Sequence, residues 1–415
     1  MNLTAFFALL GGLLVLAFVA NRLFDRTRVP DVVVLMAAGV VLGPLLGWVD
    51  AAQFKQITHA FGTLAIILIL FEGGLELNLR DTLRHSPGGL LFAVLAYALS
   101  VGLIALVVWW GMDTTVETAL LVGAVLGCTS ITIILPVMQQ MGVREPVKVT
   151  LLLEASIGEV FAVLAVGILL EQAARGGMGV GAILNEFFSE IAVALLLGGG
   201  AGMLWSRLLS RLSKQPFWQV LTFSVVLLLY AGTEATQASG LIAVFGFGLT
   251  LANFSTLGPP MVEATFGLEA PTEEHHLQIL AFHSELAFLV RTFFFVLIGA
   301  VVDFAGLTAY WLPVLAILGA LFVARWLAVK SSSWAWREIQ PPERELVFWM
   351  LPRGLITAVL AIQVLEARGS EFAFLRALVF AIILITNLVV VFGSIRTRQL
   401  EPVSLPAEPT SPGSP

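Results

Sequence analysis

Apolar residues run through this chain in blocks of about twenty, separated by short clusters of charged residues, glycine and proline. A hydrocarbon layer of about 30 Å calls for helices of roughly 17–25 apolar residues. That ruler predicts thirteen spans, near residues 2–20, 31–47, 57–78, 88–111, 116–140, 147–171, 180–206, 217–232, 238–253, 278–303, 308–329, 345–366 and 372–395. The second, fifth, ninth and twelfth are short or interrupted by Gly and Pro. The expected fold class is therefore all-α, a polytopic membrane protein with one transmembrane domain over residues 1–398. The Pro/Ser-rich segment 399–415 lacks periodicity and is expected to be a disordered tail.

Composition narrows the class further. Hydrophobic residues make up 58% and charged residues 12%, against about 25% charged in soluble domains. The single cysteine, Cys128, excludes a disulfide framework and a CxxC metal pair. Met1–Ala20 is apolar without a basic n-region or small-residue cleavage site, so it reads as a retained first helix. With the N-terminus outside, the cytoplasmic loops collect fifteen Lys and Arg and the outer loops three (Lys55, Arg175, Arg368), while Arg291, Arg325, Arg353 and Arg376 lie within spans. That asymmetry predicts N-out, C-in orientation in the cell's inner membrane. Trp109, Trp110, Trp311 and Trp334, near span ends, read as an interfacial belt. The close glycines of GGLLVLAFVA and LLLGGGAGM read as helix packing. Neither His-Glu-Xaa-Xaa-His nor Gly-Xaa-Ser-Xaa-Gly occurs, and no enzyme activity, cofactor or nucleic-acid partner is expected.

The chemistry concentrates between Leu126 and Glu171. The fifth span is interrupted at Gly127-Cys128-Thr129-Ser130, and the sixth carries Glu154 and Glu159 in an otherwise apolar run. A carboxylate at mid-membrane costs roughly 2.5–3.5 kcal/mol even on the lenient insertion scale, so two in one span need a reason. Desolvation disfavours the charged form of such a group, which suits it to trading a proton for a cation. Glu154 and Glu159 lie roughly 140° apart at 3.6 residues per turn, so they face different neighbours. Unwound main chain at Thr129 and Ser130 offers carbonyls and hydroxyls to a small cation; the plain alternative for both hydroxyls is a bond to the preceding turn. Glu72, on the third span before Gly73-Gly74, is either a further carboxylate of the site or a solvated helix end. Arg291 and Glu285 are six apart on the tenth span and are expected on different faces; Arg291 could meet Glu159 only across spans. The loop from Glu263 to His276 holds four glutamates and two histidines, a solvated linker or a pH sensor.

A weak internal symmetry runs through the chain. Residues 61–79 resemble 285–304, residues 30–44 resemble 239–253, and the break at Thr129 matches Met350-Leu351-Pro352-Arg353-Gly354. Inverted repeats with one broken helix each are the signature of secondary transporters, with the site where the breaks meet.

Taken together, LFEGGLELNLRD (70–81), LGCTSITIILPVMQQMGV (126–143), LLLEASIGEV (151–160), FVARWLAVK (322–330) and LPRGLITAVLA (351–361) resemble the monovalent cation:proton antiporters of the NhaP/NHE-like superfamily. The resemblance implies two crossed discontinuous helices, core helices near 57–171 and 278–395 with dimer helices making up the rest, and a homodimer embedded in lipid. It implies exchange of Na⁺, Li⁺ or K⁺ for H⁺, with Glu159 and Thr129 as ion ligands, Ser130 and Glu72 beside them, a structural ion pair between Glu154 and Arg325, and Arg353 compensating the helix breaks. The chain departs from the family's pattern at two places: Gly158-Glu159 replaces Asn-Asp or Asp-Asp, and Ser130 replaces an aspartate. One carboxylate instead of two leans towards one-for-one, electroneutral exchange. Two other readings stay open at this point. A cation channel would need a polar stripe where the sequence has isolated polar breaks; a transport-inactive sensor would suit the loss of both aspartates.

Overall fold

The computed structural model describes residues 3–27, 29–48, 51–80, 88–175, 180–236, 238–254, 273–336 and 338–397. The tail 399–415 and loop residues 263–272 lie outside the described residues. Those described contain sixteen α-helices and no strand. In chain order these are α1 (Leu3–Thr27), α2 (Asp31–Val40), α3 (Ala51–Glu76), α4 (Gly89–Gly111), α5 (Val116–Gly127), α6 (Ile131–Met141), α7 (Glu145–Arg175), α8 (Val180–Leu212), α9 (Trp218–Glu234), α10 (Gly240–Ala252), α11 (Glu273–Ala300), α12 (Phe304–Ala309), α13 (Trp311–Ser332), α14 (Pro341–Trp349), α15 (Leu355–Arg368) and α16 (Phe374–Arg396). Each of the thirteen expected spans coincides with one helix, or with one broken pair: α5 with α6, and α14 with α15. Among the described residues, seven segments are long and apolar enough to cross a membrane, and α2, α9 and α10 are among the shorter apolar helices. The helices overrun the apolar blocks, as at α8, which continues to Leu212, because polar ends extend a helix beyond its hydrocarbon-facing turn.

Both interruptions have local causes. At the second break Pro352 has no N–H to give and pushes Leu351 out of the helical region, so α14 ends at Trp349 and α15 restarts at Leu355. At the first, Cys128 and Ser130 are extended (ψ 146° and 120°) between α5 and α6. No proline sits there; the break is held by the other one, since the Ser130 N–H donates to the Pro352 carbonyl at 3.0 Å. A Cβ on Gly354 would overlap Ser130 Oγ, so glycine is what lets the two chains cross.

The internal symmetry has a physical counterpart in four glycines. Gly39 of α2 lies against the backbone of Val296 and Ala300 on α11, and Gly299 of α11 against Met36 and Gly39. Gly74 of α3 and Gly248 of α10 repeat the arrangement, each against main chain of the other helix at Phe245 and Phe71. Under the sequence correspondence α2 maps onto α10 and α3 onto α11, so one helix pair is built twice. Gly198 and Gly202 of LLLGGGAGM pack on α10 at Ala243 and Thr250, whereas Gly11 and Gly12 of α1 touch nothing.

Burial places the breaks at the centre. About 78% of the apolar windows in α5/α6 and α7 is buried, against 22% in α8. The outer surface is apolar on α1, α8 and α9, with Phe18, Phe188, Leu196 and Leu228 exposed. Trp109, Trp110, Trp311 and Trp334 are exposed at or near helix ends. At their outer ends the broken helices are tied by Arg144–Glu343 at one end and Arg368–Glu117 at the other. Arg368–Glu117 is a partly exposed single contact of a kind that contributes about 0–1 kcal/mol, whereas Arg144–Glu343 is bidentate.

Replacing Gly299 by valine puts a branched side chain into the α2 backbone. It is expected to destabilise the protein by about 1–3 kcal/mol, read as a lowered melting temperature in detergent. Gly102→Ala, in open space on α4, is expected to leave the melting temperature unchanged or slightly raised.

Candidate ion site at the helix crossing

Four half-helix ends meet at the crossing, and each C-terminal end carries unsatisfied carbonyls with partial negative charge. Arg353 donates from Nε to the Leu126 carbonyl (2.6 Å) at the end of α5 and from Nη1 to the Leu351 carbonyl (3.1 Å). Arg325 of α13 donates to the Val347 carbonyl (3.0 Å) and to that of Met350 at the end of α14. One guanidinium thus sits on each negative end. Thr386 and Asn387 of α16 hold the Arg353 main chain, the Thr386 hydroxyl accepting from its N–H and the Asn387 amide donating to its carbonyl.

The two carboxylates of α7 divide as their angular separation requires. Glu154 Oε1 lies 2.9 Å from Arg325 Nη1 and accepts from the Thr129 hydroxyl at 2.5 Å. Arg353 Nη1 also reaches Thr129 Oγ1, at 3.3 Å. Glu154, Thr129, Arg325 and Arg353 therefore form one buried cluster, and the Thr129 hydroxyl is committed to it. Glu159, 1% exposed, faces the other side. Its Oε1 accepts from the N–H of Ile131, the first residue of α6, at 3.1 Å. That is the positive end of a half-helix, where a carboxylate is favoured. Its Oε2 is buried without any hydrogen-bond partner.

Ser130 Oγ is 3.1 Å from Thr132 Oγ1. Three residues before Glu159, on the same face of α7, Ser156 has a buried hydroxyl without a hydrogen bond, opposite Gly73 of α3. Sequence reasoning missed Ser156, because a serine in an apolar helix ordinarily bonds its own preceding turn. A Cβ at Gly158 would have ordinary contacts with Cys128 and Thr129, so the departure from Asn-Asp is not forced by space.

A cavity of about 690 Å³ runs from Asn21 on α1 and Gln139 on α6 inward to Ile131 and Thr132. Glu72, Glu76 and Glu285 line it. Glu72 is partly buried four residues before the end of α3 and accepts from Ser284 Oγ at 2.5 Å. It is therefore a cavity wall and not a free helix end. One possibility left open by the sequence is closed here and one expectation is corrected. Arg291 does not meet Glu159: its Nη2 lies 3.2 Å from Asp31 Oδ2 and its Nη1 donates to the Thr132 carbonyl at 3.3 Å. Glu285 and Arg291 line the same cavity after all, since the α11 face that bounds it is wider than one stripe. Asp31 escaped notice because at the start of a span it reads as a solvated end. His283 did too: it lies inside the tenth span, fully buried, with Nδ1 against the Ile279 carbonyl and its ring on Phe71. His275 packs against Trp218.

Comparison with known proteins gives a consistent picture. A family model described as "Sodium/hydrogen exchanger, transmembrane" matches residues 13–399. The chain is 24% identical over 413 residues to the K(+)/H(+) antiporter NhaP2 of Shewanella sp. (strain ANA-3), covering 97% of this chain and 68% of that protein. It is 23% identical over 368 residues to the Na(+)/H(+) antiporter 1 of Methanocaldococcus jannaschii, covering 86% and 82%. Among solved structures, that of the sodium proton antiporter MjNhaP1 from the same archaeon at pH 8 superposes with a TM-score of 0.77 at 19% identity, covering 96% of this chain and 97% of that one.

Removing one member of the buried cluster leaves its partner charge uncompensated. Arg325→Met is expected to cost about 3–5 kcal/mol, and Arg325→Met with Glu154→Met distinctly less than the sum of the single changes. Thermal melts of the three variants measure the coupling.

Proposed function

The chain belongs to the sodium/hydrogen exchanger family, and from that premise we propose that it is a secondary active antiporter exchanging a monovalent cation for H⁺ by competition at Glu159. The observation that carries this reading is the buried, unpartnered Oε2 of Glu159. A buried carboxylate oxygen without a donor is filled either by a proton or by a cation, and one occupant excludes the other. Coupling then needs no further machinery. The Ser156 hydroxyl, Ser130 and the main chain of Thr129 supply neutral oxygens beside it. A site with one carboxylate and neutral oxygens carries one negative charge, matched to a monovalent ion, and exchange is one-for-one and electroneutral. The relatives are named for K⁺ and for Na⁺, so Na⁺, Li⁺ and K⁺ are the candidates.

The remaining residues take supporting roles. Glu72, at the cavity wall, passes cations towards the crossing. Glu154–Arg325 and Arg353 hold the breaks together. The exposed apolar faces of α1, α8 and α9 form the scaffold and dimer surface, against which the core helices near 57–171 and 278–395 move to alternate access. The N-terminus lies outside, the C-terminus and the cavity mouth inside, in the plasma membrane.

The test is cation-driven proton movement in proteoliposomes holding a pH gradient, followed by dequenching of a pH-sensitive dye. Pulses of at least one of Na⁺, Li⁺ and K⁺ are expected to collapse the gradient with the unaltered protein. Glu159→Gln is expected to retain less than about a tenth of that response, the usual scale for losing an essential proton-transfer group, with an unchanged melting temperature. A response that survives the substitution would place the exchange elsewhere.

A further inference from the structure

Among the described residues lining the cavity, three are glutamates and Arg291 is the only base. A cavity proposed to admit cations thus carries a cation of its own. Arg291 is held on the wall, not in the lumen. Its guanidinium spans Asp31 of α2 (3.2 Å) and the Thr132 carbonyl of α6 (3.3 Å), with the Phe288 ring 5.8 Å beneath it. Its Nε has no hydrogen-bond partner. Thr132 follows Ile131, whose N–H holds Glu159, so this clasp stands next to the crossing. The anchor is rigid for two independent reasons. Asp31 opens α2 after Pro30, with Oδ1 accepting the Val32 N–H at 2.9 Å, and α2 is fixed on α11 by the backbone contact at Gly39 and Gly299. Glu72 lies close enough for the Arg291 charge to act on it.

We propose that Asp31 is a positioning residue for cation uptake: by clasping Arg291 to the wall between α2 and α6, it keeps this internal cation off the cavity carboxylates, Glu72 first, and so sets the affinity for the transported ion. The inference rests on the antiporter reading. Without the Asp31 charge the guanidinium, with five donors to satisfy, turns to the nearest acids, which line the same cavity. It then competes with every incoming cation. The competition acts on affinity and leaves the maximal rate at saturating cation largely intact. Asp31→Asn isolates the charge, because the amide oxygen still accepts from Val32 N–H.

The experiment uses the full chain in proteoliposomes and, in parallel, cation-dependent melting of the detergent-solubilised protein with Na⁺ and K⁺ as probes. Asp31→Asn is expected to raise the half-saturating cation concentration by about tenfold, in the lower range for coupled sites, with maximal exchange within about twofold of the unaltered protein. Asp31→Glu restores the affinity. Adding Arg291→Gln to Asp31→Asn removes the defect, leaving the value of Arg291→Gln alone. An unchanged half-saturation in Asp31→Asn, or an equal defect with and without Arg291, overturns the proposal. Absence of exchange in the unaltered protein overturns the antiporter reading instead, and the melting half-saturation then decides the clasp on its own. A variant that loses its fold while Asp31→Glu and the double variant also fail to recover would make the pair structural and overturn the proposal.

Discussion

Everything at the centre of this protein depends on one backbone contact, the hydrogen bond from Ser130 N–H to the Pro352 carbonyl where two broken helices cross. Lipid forbids unsatisfied main chain, so two interruptions in a hydrocarbon layer survive only if each is buried by the other and by charge. The arginines do the latter. Arg353 takes the carbonyl end of α5 and Arg325 that of α14, while Glu159 takes the N–H end of α6. These interactions are also what make the site usable. Each glutamate keeps one oxygen without a hydrogen bond, but Glu154 is neutralised by Arg325 and bonded by Thr129, whereas Glu159 has no guanidinium against it among the described residues.

The division of labour between the two glutamates follows from helix geometry more than from their immediate sequence. Five residues apart, they look out of opposite sides of α7. One is drawn into a charge cluster that holds the crossing; the other accepts from the Ile131 N–H, next to the residues that close the inner end of the cavity. The same logic explains why the crossing tolerates two buried arginines. Each replaces the water that a helix end would otherwise need, and neither lies on the face where a cation would be bound.

Much of this was legible in the sequence, for reasons that can be stated. The thirteen spans followed from apolar block length, and the breaks from Pro352 and from Thr129-Ser130 within such blocks. Glu159 stood out because an acid there needs a cause. What could not be read was whatever depends on main chain or on opposition across helices. That Arg325 holds carbonyls of α14 as well as Glu154 is invisible in a string of side chains. Ser156 becomes notable only when its hydroxyl is found unpartnered across from Gly73. Asp31 and His283 were hidden for opposite reasons: the first sits where a span's solvated end is expected, the second inside a run whose hydropathy swallows it. The segments that carry Gly39, Gly74, Gly248 and Gly299 were visible as a repeat, but the contacts Gly39/Gly299 and Gly74/Gly248 were not.

The central claim is that proton and cation share one carboxylate oxygen, and the number of protons displaced per cation bound tests it most directly. Titration calorimetry of the purified protein with the transported ion, repeated in buffers of different ionisation enthalpy, measures that number without transport. The account predicts close to one proton released per cation at a pH where the empty site is protonated, and none with Glu159→Gln. Cation binding that releases no proton, or release that persists in Glu159→Gln, would contradict it.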